Sequence, residues 1–326
     1  MKPETVSATA PGKIILFGEH AVVYGRPAIA VPVFDVRAEA SIEPRAGAVE
    51  IDAVDIARRH DLRDAPSDDP IAAIIRLTCA RLGVAPRDFV VHIRSTIPIA
   101  SGLGSGAAVS VAIVRALSKH FTTEDTEETK KISMSSVARL PDEDISALAY
   151  AVEKLHHGTP SGIDNTVIAF EQPVYFIKGQ PMESFRVARP FLIAIADTGI
   201  ASPTKIAVGD VRRAWEADRA RYETLFDKIG EIARKARAAI ESGEVNRLGA
   251  LMRNNQILLR EIGVSSPDIE RLILAATTAG ARGAKLSGAG RGGNVIALVS
   301  EETRAAVARA LLKAGARRVI VTRIGT

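Results

Sequence analysis

Pro98-Ile99-Ala100-Ser101-Gly102-Leu103-Gly104-Ser105-Gly106-Ala107-Ala108 lies between a run that reads as a strand, residues 89–97, and a nearly all-apolar run to about His120 that reads as a buried helix. Three glycines let the backbone turn tightly and bring amide N–H groups close to a ligand with no Cβ in the way. The following helix adds unsatisfied N–H groups and the positive end of its dipole. Together these make an anion pocket suited to a polyphosphate. A plain strand-to-helix connection would also use glycines, so the loop alone leaves two readings open. GxxxxGK[ST] is absent, which excludes a P-loop NTPase. A GxGxxG fingerprint with an acid about 20 residues on is absent too, which excludes a dinucleotide fold.

Outward from this loop, β-rich runs at residues 6–10, 13–17, 28–34, 36–42 and 49–51 fill the first part of the chain. Asp69-Pro70 predicts a helix, Asp as N-cap and Pro at the first helical position, running to Leu82 and stopping at Gly83. The charged residues 122–131 read as a solvated connection. Pro141-Asp142 predicts a helix ending near Gly158, followed by strands at 163–170 and 174–177; the polar residues 179–189 form a candidate link between domains. The second half changes rhythm. A buried strand at 191–196 precedes a long helical pattern carrying Val211, Trp215, Tyr222, Phe226, Ile229 and Ile240. Further helices open at Val245 and at Ser266-Pro267, and strands at 293–299 and 317–321 bracket a helix that starts after Ser300.

A chain of 326 residues favours two domains over one core. Apolar residues at 47% supply a substantial interior for each, and aromatics at 4% leave that interior to Ala, Val, Ile and Leu. The net charge of +5 suits an anionic small molecule; without basic runs interleaved with aromatics, no nucleic-acid partner is expected. Cys79 stands alone, so no disulfide framework is expected, which fits a reducing cytosol and a cytoplasmic location. Residues 1–9 lack an apolar signal core, and no run of about 18 apolar residues predicts a membrane span.

Three separated stretches resemble the GHMP kinase superfamily, named for its galactose, homoserine, mevalonate and phosphomevalonate members. They are Ala10-Pro11-Gly12-Lys13 through Gly25, the loop at 98–108, and Lys285-Leu286-Ser287-Gly288-Ala289-Gly290-Arg291-Gly292-Gly293. Ile15-Leu16-Phe17-Gly18-Glu19-His20-Ala21-Val22-Val23-Tyr24-Gly25 and Gly158-Thr159-Pro160-Ser161-Gly162-Ile163-Asp164-Asn165 resemble the mevalonate-phosphorylating branch. The resemblance implies an α+β, two-domain fold. Its amino-terminal ATP-binding and catalytic domain, residues 1–180, is an α/β domain with a left-handed β-α-β crossover, and its carboxy-terminal domain, residues 181–326, is ferredoxin-like. It further implies ATP and mevalonate as substrates meeting in a cleft, Mg2+ as cofactor, and a homodimer.

Phosphoryl transfer needs an activated hydroxyl, neutralised phosphate charge and in-line positioning. Asp164, in a turn rich in Gly, Pro and Ser, is the candidate for taking the hydroxyl proton; the bland alternative is an Asp closing its own turn. By resemblance, Lys13 is the active-site lysine that stabilises developing charge, and residues 98–108 hold the nucleotide. Glu153 and Ser105 match the family's magnesium ligands, a hard-oxygen set in keeping with that ion. Glu19, His20 and Thr204 match residues that line the mevalonate pocket, beside Lys13 and Asp164. His156-His157, adjacent on a helix, do not share a face and read as a helix end.

Two departures stand out. Gly106 replaces a second loop Ser, and Arg291 and Asn294 stand where relatives often have Gly and Cys. Arg291 could reach a phosphate or carboxylate, or face solvent. Competing functions are a sister kinase acting on homoserine or on the 3-hydroxyl of mevalonate, and a non-catalytic ligand sensor.

Overall fold

Asp69 opens the first helix as the sequence predicts, its Oδ1 accepting from the amides of Ile71 at 2.8 Å and Ala72 at 2.9 Å while Oδ2 pairs with Arg58. The helix, α1 (Pro70–Leu82), ends at Gly83. This is a computed structural model, and it describes residues 4–99, 101–123, 139–157, 161–202 and 204–325. The chain divides into two compact units: residues 1–12, 36–98 and 104–171, and residues 13–35, 99–103 and 172–326.

Strands β1 (Val6–Phe17) and β2 (Ala28–Ala48), whose residues 6–12 and 36–48 belong to the first unit, each replace two predicted strands. Pro11 and Pro32 do not interrupt them, because the φ of proline is compatible with extended backbone. Between Val36 and Glu43, buried and exposed residues alternate along β2, as one-sided burial of a strand requires. β2 pairs antiparallel with β5 (Arg87–Ser95), from Ala38 opposite Ser95 to Pro44 opposite Phe89. Beyond β5, β3 (Glu50–Ala53) runs parallel to it and antiparallel to β4 (Arg58–Asp61), a strand too charged to read from the sequence. Helices α2 (Ser105–Thr123), α3 (Asp142–His157) and α4 (Ile163–Phe170) pack on one another, and α1 packs on α2 and α3. The middle of α2 is buried all round by Val111, Ala112, Ile113, Val114, Ala116 and Leu117.

Residues 163–170 are a helix, not the predicted strand. Six of the eight are buried, so burial leaves no periodicity to distinguish the two, and the β-branched content misleads. Gly162 turns the chain into the helix, and Thr166 Oγ1 donates back to the Gly162 carbonyl at 2.9 Å.

In the second unit, β6 (Val174–Phe176) pairs with Ala28–Ala30 and with β7 (Glu183–Ser184). The long helical pattern divides into α5 (Thr204–Ala217) and α6 (Arg219–Ser242), because Asp218 leaves helical geometry and caps α6 by accepting from the Arg221 amide. α7 (Asn246–Glu261) and α8 (Pro267–Thr278) follow, the latter capped by Ser266. The buried strands β8 (Phe191–Asp197), β9 (Gly283–Ser287) and β10 (Asn294–Val299) join β11 (Arg318–Ile324), with α9 (Arg304–Lys313) between the last two. Their order, β11-β8-β10-β9 with antiparallel pairs throughout, is that of a ferredoxin-like β-α-β-β-α-β sheet. Four helices occupy its first crossover. β9, which overlaps the start of the third glycine-rich stretch, was not legible as a strand.

Candidate active site

The predicted residues fall in both units, and each set has its own local construction. In the first unit, three packed helices carry the acid and hydroxyl candidates. Ser105 is the first residue of α2, Glu153 lies in the last turns of α3, and Asp164 is in the first turn of α4; all three are half-buried. The start of α4 is fastened to α3 by a buried polar network. Asn165 Nδ2 donates to Ser146 Oγ at 2.8 Å and to the Ser146 carbonyl at 3.1 Å, and the Ser146 and Thr166 hydroxyls are 3.3 Å apart. The residues flanking Asp164 are thereby held against the helix that carries Glu153. A carboxylate and a hydroxyl on packed helices are hard oxygen donors of the kind Mg2+ accepts, with water completing its shell. Residues 158–160 of the turn before Asp164 lie outside the described residues, as do residues 124–131 of the predicted charged connection.

In the second unit, β1 delivers Lys13, which is buried, and the Lys13 amide donates to the Leu103 carbonyl at 2.9 Å. The strand carrying Lys13 is thus bonded to the glycine-rich loop. Of that loop, Ile99 and Gly102 are exposed, Ser101 and Leu103 are buried, and Ala100 lies outside the described residues. Gly106 is exposed and Ala107 and Ala108 are buried at the start of α2.

After β1 the chain turns at Gly18, φ +95°, where a Cβ would lie 2.3 Å from the Pro27 carbonyl oxygen; only glycine fits. Glu19 and His20 follow, both buried. Glu19 Oε1 accepts from Lys285 Nζ, and Oε2 accepts from Asn255 Nδ2 at 3.3 Å. Lys285 is fully buried and also donates to the Leu286 carbonyl. Burial pulls its ammonium below the ordinary lysine range, against the opposing pull of Glu19.

His20 has φ +61° and its Nε2 lies 2.9 Å from the Ala289 carbonyl. That oxygen can only accept, so Nε2 carries a proton and Nδ1 of the neutral ring is left as an acceptor. Burial lowers its pKa to about 4, with Arg291 contributing. Arg291 itself donates to the Gly263 carbonyl and pairs with Asp210. It therefore braces the third glycine-rich stretch against α5 and the α7–α8 turn. Thr204 is exposed at the start of α5.

Sequence reasoning missed Lys285 and Asn255 as partners of Glu19. A signal for Asn255 existed: it interrupts the buried stripe Leu248, Met252, Leu259 on α7 at helical spacing, where a polar residue needs a partner. Lys285 carried no such signal, since its partner is 266 positions away.

Comparisons with known proteins show the family. Residues 70–172 match the GHMP kinases N terminal domain, and residues 236–317 match the GHMP kinases C terminal domain. The chain is 36% identical to the mevalonate kinase of Thermococcus sibiricus, over 98% of this chain and 96% of that protein. It is also 36% identical to the Pyrococcus abyssi mevalonate kinase, over 99% and 96%. Among solved structures, L. major mevalonate kinase in complex with R-mevalonate superposes with a TM-score of 0.83 at 28% identity, covering 98% of this chain and 95% of that one.

Proposed function

Because the chain belongs to the GHMP kinases, and among them to the mevalonate kinases, we propose that this ATP-dependent small-molecule kinase phosphorylates the 5-hydroxyl of (R)-mevalonate. One observation carries the choice of acceptor: likeness to mevalonate kinases runs along almost the whole chain rather than over the nucleotide loop alone. A sister kinase would share the fold and the loop but diverge in sequence along the rest of the chain.

The reading assigns Asp164 as the group that accepts the proton of the 5-hydroxyl as that oxygen attacks the γ-phosphorus. The bond from the γ-phosphorus to the bridging oxygen breaks, ADP leaves, and the proton passes from Asp164 to solvent. Lys13 supplies positive charge to the transferring group. Residues 98–108 bind the polyphosphate through backbone amides. Ser105 and Glu153 would hold Mg2+, which when bound neutralises phosphate charge. His20, neutral above about pH 4, offers Nδ1 to a hydroxyl of mevalonate. The buried Glu19 is expected to act by fixing His20 and the turn around it. Thr204 is assigned to the substrate side, and a homodimer is the expected assembly.

The test is ADP release at fixed Mg-ATP with (R)-mevalonate, homoserine, galactose and 5-phosphomevalonate as acceptors, and identification of the phosphorylated position by phosphorus NMR. Selective turnover of mevalonate to the 5-phosphate supports the reading. Preference for another acceptor, phosphorylation at the 3-hydroxyl, or no turnover with any of them would overturn it.

A further inference from the structure

Ser287 and Asn294 sit directly opposite each other on β9 and β10. Each uses its side chain on a main-chain carbonyl from elsewhere in the second unit. Ser287 Oγ donates to the Ile15 carbonyl at 2.7 Å, on the strand that carries Lys13. Asn294 Nδ2 donates to the Ser101 carbonyl, in the glycine-rich loop. Asn294 is 1% exposed, and its backbone is fixed between β8 and β9, opposite Asp197 on one side and Ser287 on the other. The orientation of its amide is dictated, because a carbonyl oxygen facing Ser101 would meet only another acceptor. Its own Oδ1 is buried with no hydrogen-bond partner among the described residues. The contact to Ser101 is therefore the bond its amide makes there.

The consequence lies in the peptide planes. In a planar trans peptide the C=O of one residue and the N–H of the next point in opposite directions. The Ser101 carbonyl is turned toward Asn294, so the Gly102 amide is turned away from it. The Leu103 carbonyl is turned toward the Lys13 amide at 2.9 Å, so the Gly104 amide is likewise turned away from Lys13. Gly102 has positive φ, +80°, the left-handed backbone that anion-binding nests use. One of the two anchors is main chain and is available whatever the side chains. The other is made by a side chain, the Asn294 amide.

We propose that Asn294 is a positioning residue for nucleotide binding: it pins the 101–102 peptide so that the Gly102 N–H is presented to a phosphate oxygen. The proposal rests on the reading of residues 98–108 as the nucleotide loop. Asn294 touches neither substrate. It acts through the loop, and removing its donor takes away the bond that orients the 101–102 peptide before the nucleotide arrives.

The test is titration calorimetry of the full chain with Mg-AMPPNP, alongside the KM for mevalonate, in wild type, Asn294→Leu and Gly102→Ala. Asn294→Leu keeps the branched outline of the side chain, although it is larger, and removes the donor. It is expected to weaken Mg-AMPPNP roughly tenfold, the scale of one lost hydrogen bond, with the mevalonate KM within about twofold of wild type. Hydrogen–deuterium exchange of residues 101–105 in the nucleotide-free protein should accelerate in the same variant. Asn294→Ala takes its place if the leucine variant does not fold. Unchanged nucleotide affinity in the Asn294 variants, while Gly102→Ala weakens it, overturns the role of Asn294 alone. Unchanged affinity in both overturns the loop reading and the proposal with it. Equal weakening of nucleotide and mevalonate binding marks a general structural defect and also overturns the proposal.

Discussion

Lys285 and Glu19, 266 residues apart in the chain, form an ion pair whose side chains are 0% and 1% exposed. Taking both charges from water costs more than an exposed pair returns, and the pair persists because the remaining atoms are also bonded: the ammonium to the Leu286 carbonyl, the second carboxylate oxygen to Asn255. It joins the first glycine-rich stretch, with Lys13 and His20, to the third.

Removing one partner strands the other charge. Lys285→Met and Glu19→Gln are each expected to destabilise the protein by about 3–5 kcal/mol. The double variant should lose clearly less than the sum of the two. Urea unfolding followed by circular dichroism measures all three; strictly additive losses would show that the two groups do not depend on each other.

His20 gives the fold a specific pH dependence. Its folded pKa, about 4, lies below the ordinary histidine value of 6.5, so the unfolded chain takes up this proton first as pH falls. The stability contribution is therefore complete above about pH 6.5 and is lost as pH drops toward 4, by a total on the order of 3 kcal/mol. Comparing melting temperature against pH for wild type and His20→Asn isolates the effect from the carboxylates. The two curves should converge toward pH 4; parallel curves across that window would contradict the assignment.

How much of this was legible in the sequence depends on how local each signal is. Asp69-Pro70 and Ser266-Pro267 announce helix starts through caps that operate within three residues, and both helices begin there. The glycine-rich loop was legible for the same reason. Residues 163–170 were not, because burial on all sides erases periodicity, and β4 was not, because Arg58, Arg59 and Asp61 disguise a strand. At the site, the candidate residues came from family motifs, whereas the groups that hold them came from the structure. Nothing local in Lys285 or Asn294 reveals that one reaches Glu19 and the other the Ser101 carbonyl.

The most direct test of the account is steady-state kinetics of Asp164→Asn, with Mg-ATP and mevalonate binding measured in the same variant. Loss of the proton acceptor should lower kcat by roughly a hundred- to ten-thousand-fold while both dissociation constants stay near those of wild type. A kcat close to wild type would contradict the account, because some other group would then be taking the hydroxyl proton.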